Sequence, residues 1–227
     1  MKPSGLELPD DPLAAALRGF GPAGLVAILA ILAGNALFVP LSALLVLLWA
    51  RRSRTPWRAI GLVRPKSWIG GLAAGLALGI AFKLVMKALV MPMLGADPVN
   101  QAYHYLAGNT ATLPAMLFLI LVGAGFGEEM VWRGWMFERL GRLLGESAGA
   151  KAAIVLVTAA LFGLVHYPEQ GLPGVQQAVI VGLVFGAIFA AAGRLWMLIC
   201  AHAAFDLTAL ALIYWDVETE VARSLLG

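Results

Sequence analysis

Hydrophobic positions run through this chain in long stretches, separated by short polar segments. Residues 19–50 contain no Asp, Glu, Lys or Arg. A helix needs about 20 apolar residues to cross a bilayer, so stretches of this length predict spanning helices. The first is expected near 23–49, bent at Pro40, whose ring removes a helix hydrogen bond. The second runs from about Trp68 to Met91 and carries Lys83 and Lys87. The third starts near Leu113 and continues past a charged stretch at 128–133. The fourth, fifth and sixth are expected near 151–166, 175–192 and 195–214. The short alternating segments of a membrane barrel are absent. The predicted fold is an all-α polytopic bundle of about six spans.

Composition agrees with this reading. Of 227 residues, 61% are hydrophobic and 13% charged, against about 45–50% and about 25% in soluble domains. A soluble globular chain and a disordered one are both excluded. Six spans use roughly 120 residues, which leaves no room for a separate soluble domain, so 1–227 reads as one membrane domain. Glu7, Asp10 and Asp11 precede the first apolar run in place of the usual basic region of a secretory signal, so the first span is expected to stay attached. Cys200 is the one cysteine and reads as a small packing residue.

The net charge of +3 suggests nucleic acid only until the charges are located. Arg51, Arg52, Arg54, Arg58, Arg64 and Lys66 fall in the first connection, Arg133, Arg139, Arg142 and Lys151 around the third, and Arg194 in the fifth. Lys2, Arg18 and Arg223 fall on the other side, giving 11 basic residues against 3. This is a topology signal, and the positive-inside rule then puts both termini outside the cytoplasm. Trp49, Trp68, Trp196 and Trp215 fall at predicted helix ends, where interfacial tryptophans belong. Gly71, Gly75 and Gly79 repeat at four-residue spacing and predict a close helix contact. Lys83 and Lys87 share a face near the outer end of their helix and read as side chains snorkelling to the interface, with a role near the site or pairing with a buried acid as the alternative. The alanine- and glycine-rich makeup points to a bacterial inner membrane.

Ionisable groups inside a membrane are costly and mark function. They cluster on three predicted helices: Glu128, Glu129 and Arg133 in GFGEEMVWRGW, His166 with Phe162 in FGLVH, and His202 and Asp206 in HAAFD. Neighbours on an α-helix lie about 100° apart, so Glu128 and Glu129 are expected to point in different directions. Glu129 and Arg133 are i,i+4 neighbours and can pair, which leaves Glu128 to face a cavity. Phe162 and His166 share the same spacing, as do His202 and Asp206. Counting along the helices places Glu128 roughly 22 Å from the start of the third, and His202 and Asp206 roughly 10 and 16 Å from the start of the sixth, depths at which they can meet.

Burial favours the uncharged form of a carboxylate, which suits it to take a proton from water near neutral pH. A base, a water and donors to an oxyanion are enough to hydrolyse an amide. No serine nucleophile motif accompanies the histidines, and HExxH is absent, although Glu128, His166, His202 and Asp206 are all chemically suitable metal ligands.

EExxxR, FxxxH and HxxxN/D, in that order on successive membrane helices, resemble the CPBP family of intramembrane proteases, which includes the CAAX prenyl endopeptidases and the bacterial Abi and bacteriocin-processing proteins. The motif-bearing core covers about 113–214. The resemblance implies a glutamic endopeptidase without metal or other cofactor, acting on a membrane-anchored protein or peptide, with the lipid bilayer as its setting and no nucleic-acid partner. By matching positions, Glu128 would be the general base and His166 would help hold the attacking water. His202 and residue 206 would stabilise the oxyanion, and Glu129 and Arg133 would support the site as an ion pair. Prenyl-protein proteases typically carry Asn where this chain has Asp206. An ionised Asp only accepts hydrogen bonds, so Asp206 is expected either to be protonated or to orient His202. The alternatives from other classes are a non-catalytic scaffold or bacteriocin-immunity-type protein, a metal-dependent membrane hydrolase, and a small transporter.

Overall fold

The structure is a computed structural model and describes residues 11–225. Lys2, Glu7 and Asp10 lie outside the described residues. The described chain is helical, with no strand. Four helices are long and apolar enough to cross a membrane: α4 (Trp68–Met93), α5 (Thr110–Leu144), α7 (Tyr167–Ala192) and α8 (Trp196–Tyr214). The others are α1 (Pro12–Arg18), α2 (Pro22–Leu37), α3 (Val39–Arg52), α6 (Ala148–Leu164) and α9 (Glu218–Arg223). The all-α polytopic bundle therefore stands, and the protein is an integral membrane protein.

The first predicted span is two helices. Phe38 is extended (φ −165°, ψ 107°) between α2 and α3. Pro40 falls in the first turn of α3, where its missing N–H costs nothing. α2 and α3 then fold back on each other, and a Cβ at Gly34 would sit 3.0 Å from Leu45 Cδ1 and 3.4 Å from Ser42 Cα. Both open ends of this hairpin lie together: Arg18 Nη1 donates to Ser53 O at 2.6 Å, and Trp49 Nε1 donates to Leu17 O at 3.0 Å. The tip meets the middle of α5, where Val39 Cγ1 would touch a Cβ at Gly127 at 2.8 Å. Sixteen residues of α-helix measure about 24 Å, short of a hydrocarbon core of about 30 Å. Neither arm is long enough to cross alone, and the two arms begin and end at the same end of the bundle.

The described N-terminal segment packs against the end of the bundle that carries the basic residues. Arg139, near the end of α5, donates to Arg18 O at 2.8 Å and to Gly19 O at 3.0 Å. Asp11 pairs with Arg54 at 3.4 Å. Residues 11–21 therefore share the basic face with the first connection, while α8 ends on the opposite face, where Gly108 N donates to Tyr214 O at 2.9 Å.

α4 lies along α8 through the expected glycine face. A Cβ at Gly79 would come within 2.1 Å of Ala201 O, so only glycine admits this approach. Cys200 packs at the same seam against Gly75. Trp68 and Trp196 meet edge to face at 4.9 Å, at the basic ends of these two helices, and Trp215 is exposed at the other end of α8. Trp49 differs from expectation: it is buried against Trp135 rather than interfacial. Neither lysine of α4 snorkels, since Lys83 and Lys87 are both buried.

Candidate active site

Three elements carry the polar cluster. Over Leu119–Trp135 the middle of α5 is wound with i→i+5 hydrogen bonds. This wider turn is found at functional sites far more often than chance. It places more residues in each turn, so successive side chains diverge by less than on an α-helix. Glu128 and Glu129 consequently reach the same imidazole from two edges, where a wider divergence had been expected. His202 Nδ1 lies 2.7 Å from Glu129 Oε1, and Nε2 lies 3.5 Å from Glu128 Oε2. Asp206 Oδ2 is 3.7 Å from the same Nε2.

The Glu129 side of His202 is sealed. Glu129 is 0% exposed and Arg133 2%. Arg133 Nη1 donates to Glu129 Oε1 at 2.9 Å, so the expected i,i+4 pair is present. The guanidinium lies 4.7 Å from the Phe162 ring and 5.6 Å from that of Phe185. Both rings also meet His202 edge-on, at 6.1 and 5.7 Å. Phe162, the first residue of the FxxxH motif, thus braces the ion pair and the imidazole together.

The Glu128 side opens into a cavity of about 490 Å³. Glu128, His166, His202 and Asp206 all line it, with Phe162 at its wall. His166 lies between α6 and α7, just before a break inside α7 at Gly171, whose φ of +62° favours glycine. His166 Nδ1 is 2.6 Å from Phe162 O. A carbonyl only accepts, so Nδ1 carries the proton and Nε2 is the ring's free position. The contacts from His202 Nε2 to Glu128 and Asp206 are longer than a good direct hydrogen bond, and this spacing admits an oxygen of water or substrate between the groups. Among the described residues no group of three or more His, Cys, Asp or Glu side chains is arranged to hold a metal ion.

Several lining residues escaped the sequence reading. Asn35, at the hairpin tip, and Gln177, on α7, reach the cavity from apolar runs. A search for every polar residue in such runs, rather than for ionisable ones, finds both. Tyr103 comes from the loop before α5 and donates to Glu169 Oε2 at 3.3 Å. Burial, then the Glu169 charge, pushes its phenol up, so it stays a donor. Nothing in the local sequence brings that loop to the cavity.

In a comparison with known families, residues 110–208 fit the model described as Rce1-like type II CAAX prenyl endopeptidase. No curated protein and no solved structure matches the chain. The matched segment covers α5 and α6, α7 and most of α8, and contains all three motifs. The similarity to the CPBP and CAAX protease family therefore holds over the part of the chain that carries Glu128, His166, His202 and Asp206.

Proposed function

Starting from that similarity, we propose that the chain is an intramembrane endopeptidase that hydrolyses a peptide bond of a membrane-associated substrate with water activated by Glu128. The observation that carries the reading is the convergence of Glu128, His202 and Asp206 on one cavity inside a membrane bundle, with His202 held from behind by Glu129.

In this mechanism Glu128 takes a proton from water as the oxygen attacks the carbonyl carbon. His166, with Nδ1 engaged by Phe162 O, accepts a hydrogen bond from that water at Nε2. His202, as an imidazolium whose Nδ1 proton is held by Glu129, and Asp206 face the carbonyl oxygen and stabilise the charge that develops on it. The proton held by Glu128 passes to the amide nitrogen as the carbon–nitrogen bond breaks, which releases an amine and a carboxylic acid. Glu129 already fixes the Nδ1 side of His202, so orienting the ring does not require Asp206. Asp206 is then the protonated donor, in the position where an ionised carboxylate would oppose the oxyanion.

The basic face is cytoplasmic by the positive-inside rule, in a bacterial inner membrane. The segment around Arg18 then faces the cytoplasm and α9 the opposite side. Reporter fusions after residue 19 and after residue 216 are expected to give opposite signals; equal signals contradict this orientation. For the activity, membranes of cells carrying the wild-type chain are compared with those carrying Glu128→Gln. A membrane-anchored protein is expected to accumulate uncleaved only with the variant. Identical membrane proteomes, with both proteins folded and present, point to the scaffold alternative.

A further inference from the structure

The two lysines of α4 have different surroundings. Lys87 Nζ lies 2.5 Å from Glu218 Oε1 and donates to Pro98 O at 2.6 Å. Lys83, one turn earlier, is 6% exposed. Its Nζ donates to Gln177 Oε1 at 2.9 Å and lies 4.8 Å from the Phe205 ring centroid. Both partners are neutral, and among the described residues Lys83 makes no ion pair. Asp206 shares its cavity but lies outside ion-pair distance. An ammonium taken out of water with only neutral partners is costly, and that cost is recovered when an anion joins it.

Lys83 and Gln177 also stand where two cavities meet. They line the reaction cavity and a second one of about 430 Å³, which is walled also by Asn100, Glu169, Gln170, Ile213 and Glu218. Phe205, against which Lys83 lies, precedes Asp206 in the chain. A peptide in the reaction cavity therefore passes Lys83 as it extends into the second cavity. The anion a peptide brings is a carboxylate, either its C-terminus or an Asp or Glu side chain.

We propose that Lys83 and Gln177 form a subsite that binds a carboxylate of the peptide substrate beside the scissile bond. This rests on the proteolysis reading and adds a determinant of specificity to it.

The test uses the full-length protein in proteoliposomes and a lipid-anchored peptide library of mixed sequence. The library is made as C-terminal acids and as C-terminal amides, each with and without Asp and Glu. Cleavage is followed by mass spectrometry. The wild type is expected to favour carboxylate-bearing peptides about tenfold, mainly through KM. Preference for acid over amide identifies the C-terminus as the source, and preference for Asp or Glu identifies a side chain. Lys83→Met is expected to remove the preference, and Lys83→Arg to retain part of it. Gln177→Glu, nearly isosteric, places a carboxylate against Lys83 and is expected to remove the preference as well. No preference in the wild type, or one that survives both Lys83→Met and Gln177→Glu, overturns the subsite. A folded wild type that cleaves no member of the library overturns the proteolysis reading itself and the subsite with it.

Discussion

The two sides of His202 are built on different principles. Behind the ring, Glu129, Arg133, Phe162 and Phe185 are buried and in mutual contact. In front of it, Glu128 and Asp206 keep 16% and 29% of their side chains exposed, and their distances to Nε2 leave room for an oxygen. Adjacent glutamates thus belong to opposite regimes. The rear carboxylate has its partners fixed and is sealed from the cavity. The front one borders the cavity and is free to take a proton. In the proposed mechanism, charge sealed in place positions the ring, and charge beside the cavity does the chemistry.

The largest effect expected from breaking this contrast is on turnover. Glu128→Gln removes the base and keeps the shape, so cleavage should fall about 10²–10⁴-fold, with the thermal midpoint close to wild type. A Glu128→Gln protein of wild-type activity refutes the assignment. Next is Asp206. Asp206→Asn keeps a donor and should stay within about tenfold of wild type, while Asp206→Ala should lose about 10²–10³-fold, the effect of removing one oxyanion donor. If Asn is as inactive as Ala, the protonated-donor role is wrong. Both variants are read by initial rates on one reporter peptide.

Much of this contrast was legible in the sequence. The i,i+4 spacing of Glu129 and Arg133 foretold their pair, and the three motifs foretold which helices meet. The angle between Glu128 and Glu129 was not legible, because it follows from the wide winding of Leu119–Trp135. Local residue order does not disclose that winding. The hairpin was missed for a related reason. A charge-free run of 32 residues, 19–50, looks the same whether the chain crosses or turns back, and the break falls at Phe38, two residues before the proline that suggested it. The lysines of α4 were misread because snorkelling and burial share one spacing; only the packing of α7 and α9 against them decides.

Behind the ring the expected effects are on stability. Glu129→Gln strands the Arg133 guanidinium without its counter-charge, and breaking a buried pair in this way costs about 3–5 kcal/mol. The variant should unfold earlier in a denaturant or thermal series, whereas activity per folded molecule falls less than with Glu128→Gln. A stable but inactive Glu129→Gln protein would move Glu129 to the reacting side and erase the contrast.

The smallest effect tests whether the rear is held by rings as well as by charge. Phe185→Leu keeps an apolar side chain at a position that is 0% exposed. It removes the ring that lies 5.6 Å from the Arg133 guanidinium and 5.7 Å from the His202 ring. A desolvated cation–π contact contributes about 2 kcal/mol, and part of the lost packing is replaced by leucine, so a loss of about 1–2 kcal/mol is expected. Phe185 touches no reacting atom, and Glu129 still holds Nδ1, so kcat per folded molecule should change by only a few-fold. A fall in kcat comparable to that of Asp206→Ala, with stability unchanged, would mean that the ring and not the ion pair sets the angle of His202.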